Sequence, residues 1–124
     1  MSRNAKIDLI TRDDANNEFV LYIIEEGPWE GRPVDEWLQL IEARINNAIE
    51  IASDGYLAAK FPSSRGGAVR IQVDLYNNPP LEAELFVSKM SIIIEENVEA
   101  MTRIREMGNV SRIRLVTRSM MGRG

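Results

Sequence analysis

Arginines and carboxylates are the side chains through which this chain could do chemistry. Its 124 residues contain no cysteine and no histidine. That removes thiolate nucleophiles, disulfides, Ser-His-Asp triads and nearly all zinc or haem ligation. The carboxylates crowd one stretch: Glu25, Glu26, Glu30, Asp35 and Glu36 surround Trp29. Two such groups can act as general acid and base, or hold a divalent cation. The spacing fixes no distance between them, and the start of a helix attracts acids anyway. We therefore expect no enzymatic activity, no catalytic residue, no metal and no cofactor.

The arginines are gathered elsewhere. Arg103, Arg105, Arg112, Arg114, Arg118 and Arg123 stand against one acid, Glu106, after residue 102. The chain as a whole carries −4. This asymmetry marks either an anion site, a contact between copies of the chain, or the solvated face of a charged strand. A further anion cradle is conceivable at Ser63-Ser64-Arg65-Gly66-Gly67, where backbone N–H groups accompany an arginine. The stretch lacks the Walker pattern and precedes a strand, so an ordinary loop is expected.

Elements must bring these residues together. Residues 7–12 and Glu18–Glu25 read as a β-hairpin around the turn cluster Asp13-Asp14-Ala15-Asn16-Asn17. Two Gly and two Pro between residues 27 and 33 make a loop. Val34 to about Ala52 is a helix, with Trp37, Leu38, Leu40, Ile41, Ile45, Ala48, Ile49 and Ala52 on one arc. A short helical turn follows at Tyr56–Phe61. Ala68–Tyr76 alternates strictly and reads as a strand, and Val110–Arg118 as another. Between them lies one long helix, Leu81–Met107. At about 27 residues it would run about 40 Å, longer than a globule of this size is wide, so it must bend, break or project. Asn97 is the expected break.

The order ββαβαβ predicts an α+β domain over residues 1–118, with a flexible tail at 119–124. We expect a two-layer sandwich whose mixed sheet carries both helices on one face. In an alternative, the hairpin leaves the sheet to clasp a partner. No apolar run approaches the length of a membrane span, and the first residues lack a signal-peptide core, so a cytoplasmic protein is expected.

On such a sheet, Val69, Ile71, Val73, Leu75, Ile113 and Leu115 point to the helices. Arg70, Asp74, Tyr76, Arg112, Arg114, Arg118 and Tyr22 share the other face, joined by Val20, Ile24, Asp8, Ile10 and Arg12. Arginine, tyrosine and aliphatics together suit a protein interface. They also suit phosphate pairing and base stacking. The long helix is apolar on two sides. Phe86, Val87, Met90, Ile93, Ile94, Val98, Met101 and Ile104 form the main arc, while Leu81, Leu85 and Ile92 lie opposite. The second stripe is expected to be an oligomer contact, or to lie under the hairpin or a loop.

The order of weaker signals carries a resemblance. Lys6-Ile7-Asp8-Leu9, Phe19–Ile24, Trp29 before the first helix, Ile45-Asn46-Asn47-Ala48 through Ser53-Asp54-Gly55, Phe61-Pro62 and Val69–Leu75 resemble the family catalogued as domain of unknown function 6572. The likeness spans roughly residues 6–118. It implies a compact αβ domain and supplies no catalytic residues.

Two functional readings remain. The first is a non-enzymatic, homo-oligomeric module that binds a partner protein, as a small regulatory, immunity or anti-defence factor does. The alternative is a binder or sponge for a phosphate-bearing small molecule or nucleic acid, acting through the arginine-rich sheet face.

Overall fold

The computed structural model describes residues 7–120. The fold is α+β, with a mixed four-stranded sheet and four helices. The elements are β1 (Leu9–Asp13), β2 (Glu18–Glu25), α1 (Val34–Ser53), α2 (Tyr56–Lys60), β3 (Gly67–Tyr76), α3 (Leu81–Glu96), α4 (Val98–Met107) and β4 (Val110–Met120). A short 3-10 turn, Pro62–Ser64, lies between α2 and β3. The strands lie side by side in sequence order. β1 runs antiparallel to β2, whereas β2–β3 and β3–β4 are parallel. The hairpin stays in the sheet, because β2 pairs with β1 on one side and β3 on the other.

One set of alternating strand residues makes the apolar core. Leu21, Ile23, Val69, Ile71, Val73, Leu75, Ile113 and Leu115 are buried with Trp37, Ile41, Ile45 and Ala48 of α1, Leu57 of α2, and Ala83 and Val87 of α3. Fixed χ1 angles make the β-branched residues of β3 good packing partners on a pleated surface. Trp29 closes one end of this core. Its indole donates to the Tyr76 carbonyl at 2.8 Å, and its ring lies 4.5 Å from that of Trp37. Gly27 makes the approach possible: a Cβ there would sit 2.8 Å from the Trp29 backbone nitrogen, at φ +83°.

The expected long helix is two helices. α3 stops at Glu96, and Asn97 takes φ −84°, ψ 85°, outside helical values. Its side-chain carbonyl accepts from the Ala100 N–H at 3.0 Å, capping α4. A break here removes the length problem, since neither piece exceeds 16 residues. α4 ends on Gly108 in the left-handed region at φ +80°.

Three other details differ from the sequence reading. β4 continues through Ser119 and Met120, which were expected in the tail; residues 121–124 lie outside the described residues. In β1, Ile10 pairs with Leu21 and Arg12 with Phe19, so both stand on the core side with Asp8. The polar face instead receives Leu9, Thr11 and Asp13, opposite Tyr22, Val20 and Glu18. Strand pairing shifts face with a single residue of register, and the turn after Asp13 sets that register. Finally, Arg44 and Ile51 join the buried side of α1.

Candidate functional site

The polar face of the sheet is built by register alone. Val20, Arg70 and Arg114 are neighbours across three strands, as are Tyr22, Gln72 and Val116, and Ile24, Asp74 and Arg118. Ala68 and Arg112 lie at one end of the face and Tyr76 at the other. By register, Arg70, Asp74, Tyr76, Arg114, Arg118 and Tyr22 stand on this face, and Arg112 takes a position at its end while lining a groove beside α4.

What the sequence did not disclose is how the arginines are occupied. Arg114 holds Glu18 through two hydrogen bonds, of 2.6 and 2.9 Å. Arg70 reaches Glu18 and Asp13, each at 2.9 Å. It also donates to Gln72, which passes the chain on to Asp74 at 3.0 Å. Arg118 meets the same Asp74 at 3.3 Å. Glu18, Gln72 and Asp74 are buried on this face, where Arg114, Arg70 and Arg118 bond to them. Val20, in β2, is fully buried too.

Electrostatics fix these groups in their charged forms. Hydrogen bonding from Arg114, with its charge and that of Arg70, holds the Glu18 carboxyl below the usual range against the opposing effect of burial. Glu18 in turn raises Arg114. Asp13 is lowered to about 2, first by the hydrogen bond from Asn16 and then by that from Arg70. Groups pinned this far from neutrality do not trade protons near pH 7. Three of the four arginines on the face thus face carboxylates of the same face. Asp13 and Glu18, which supply most of that neutralisation, are the residues of this face that sequence reasoning missed; the place of Asp13 depends on the β1 register.

The acidic loop is dispersed. Glu25 is buried and bonded at 2.8 Å to Arg44 of α1, which also holds Asp8 and donates to the Ile24 carbonyl. Glu26 and Glu30 are exposed beside a shallow cleft with Asn77. Among the described residues no three metal-type side chains cluster together. The 63–67 loop is tied down rather than open. The Gly66 N–H donates to the Asn109 carbonyl at 2.9 Å, Arg65 bonds the Asn109 side chain, and that side chain reaches back to the Ser53 carbonyl.

Leu81, Leu85 and Ile92 form the third candidate. They are 62, 58 and 56% exposed; Ile93 and Val98, expected in the main apolar arc, are also outside the core, at 57 and 72% exposed. Neither the hairpin nor a loop covers them among the described residues. The opposite side of α3 is anchored by Ala83 and Val87, and Ser91 donates to the Leu115 carbonyl at 2.8 Å. At the α3–α4 elbow a groove of about 340 Å³ is lined by Glu95, Val98, Met101, Arg105, Arg112 and Ile113. Arg112, expected to work with Arg114, belongs to this groove.

A family model, the family of unknown function DUF6572, matches residues 1–105. The chain belongs to that family. The match takes in β1 through most of α4 and stops before β4, so Arg112, Arg114 and Arg118 lie beyond it. The family's description assigns no activity. No curated protein and no solved structure matches the chain.

Proposed function

We propose that this family member is a non-enzymatic, cytoplasmic interaction module that works as an assembly of its own copies. In this reading the helices form one layer over one face of the sheet, and the outer side of α3 makes the contact between copies. The observation that carries the reading is the exposed stripe Leu81, Leu85 and Ile92, continued by Ile93 and Val98. Single exposed aliphatics need no explanation, but several along the outer side of one helix, with another just past its end, suit an interaction surface. The charge network on the sheet supports the same choice. An anionic ligand there would have to displace Asp13, Glu18 or Asp74 from guanidiniums already bonded to them. No helix among the described residues is long and apolar enough to cross a membrane.

Sedimentation equilibrium of the purified chain tests this directly. The expected result is a multiple of 14.1 kDa at tens of micromolar, reduced to the monomer by Leu85→Glu or Ile92→Glu. A monomeric wild type ends the proposal.

A further inference from the structure

We infer that the groove at the α3–α4 elbow receives the first turn of α3 from a second copy of this chain. The inference rests on the self-association proposed above and supplies its geometry. The groove joins an apolar floor of Val98, Met101 and Ile113 to two guanidiniums, Arg105 and Arg112, and one carboxylate, Glu95. Neither arginine has an ion pair or side-chain hydrogen bond among the described residues. Such a groove asks for an occupant that is apolar and acidic at once.

The first turn of α3 is that occupant. Leu81 and Leu85 project into solvent, and Glu82 and Glu84 between them make no ion pair among the described residues. The same chain cannot fill its own groove. α3 has 16 residues, so its first turn lies about 24 Å from the elbow. A second copy can. Leu81, Leu85, Ser88, Ile92 and Glu95 recur at alternating steps of four and three, the seam of two packed helices. Ser88, the small residue of the seam, stands at its middle. A two-fold axis through Ser88 sets the two α3 helices antiparallel. It carries each acidic first turn to the other copy's basic elbow, so the contact is made twice and the assembly closes as a dimer. The chain's charge asymmetry then has a use: acid on the body of one copy meets the arginines of the other.

Charge exchange between two variants tests this. One carries Glu82→Arg and Glu84→Arg, the other Arg105→Glu and Arg112→Glu; all four positions are on the surface, and circular dichroism checks that both fold. Each alone should dimerise at least roughly tenfold more weakly than wild type. An equal mixture should recover the dimer as a heterodimer, since both of its contacts then pair opposite charges. The milder pair Glu82→Gln, Glu84→Gln should weaken the wild-type dimer less and show less loss on added salt. A dimer indifferent to both reversals but abolished by Leu85→Glu overturns the groove contact and leaves self-association standing. A mixture that stays monomeric overturns it too. A wild type that is monomeric overturns both.

Discussion

Arg114 and Glu18 are 96 residues apart in the chain and are joined by two hydrogen bonds across the polar face of the sheet. The pair ties the first hairpin to the fourth strand over the top of β3. Glu18 is almost wholly buried while Arg114 keeps about a quarter of its side chain in water. Removing the arginine therefore strands a buried carboxylate, and only Arg70 remains to hold it. Arg114→Ala should cost about 1–3 kcal/mol, less than a fully buried pair because of that exposure and the second arginine. Arg112→Ala breaks no bond on this face; measured, like Arg114→Ala, in the Leu85→Glu background so that no contact between copies enters, it should change stability by no more than about 0.5 kcal/mol. Urea unfolding of the two variants checks both, and equal losses would show that the pairing is not the cause.

Acid should unfold the domain in a defined window. Glu18 and Asp13 both have folded-state pKa values below their unfolded ones. A depressed carboxylate contributes stability above its unfolded pKa and loses it as pH falls through the folded value. The loss should begin near pH 4, where free carboxylates titrate, and continue to about pH 2, where Asp13 protonates. Arg70→Gln should flatten that slope in melts recorded across the range. An unchanged slope would separate the arginine from the acid response.

The core should be unforgiving. Ile41 and Ile71 are fully buried on opposite sides of the α1–β3 contact. Ile41→Ala and Ile71→Ala should each cost about 2–5 kcal/mol, from lost transfer energy and the cavity left behind. A loss below about 1 kcal/mol in urea would mean that the site collapses around the smaller residue.

Asn97 should matter for one helix only. Its side chain caps α4 through the Ala100 N–H, and Asn97→Ala should cost about 1 kcal/mol. Hydrogen exchange should speed up at the first amides of α4 and leave those of α1 unchanged. Asn97→Asp, which keeps the capping oxygen, should restore most of the protection.

The strands and α1 were legible because their patterns are local. The strict alternation of Val69, Ile71, Val73 and Leu75 names a face without reference to any other element. Pro33 with Asp35 and Glu36 marks a helix start, and α1 begins at Val34. The face of β1 was not legible. Ile7, Leu9 and Thr11 look like the apolar side, but pairing with β2 puts Ile10 inward. The choice is made by long-range register, which a short strand with one aliphatic on either side does not encode. Arg44 was hidden for a similar reason. On the helix wheel it lies beside the apolar arc, and Asp8 and Glu25, brought from elsewhere in the chain, help to make its burial tolerable. The residues of the sheet face were placed by alternation; Asp13 was not, because its face depends on the β1–β2 register, whereas Glu18 shares the alternation of Val20 and Tyr22 and only its pairing with Arg70 and Arg114 was hidden.

β3 has a neighbour on each edge, and one of those neighbours, β4, is translated after every other strand. A ribosome-bound chain that has reached the end of α4 therefore holds a strand with one bare edge, and Glu18 with one of its two arginines. Ile113 and Leu115 are still missing from the core at that moment. Closure of the domain must wait for β4 to leave the exit tunnel. Until then the nascent chain presents an unpaired β3 edge that chaperones can bind, or that neighbouring nascent chains can pair with in error.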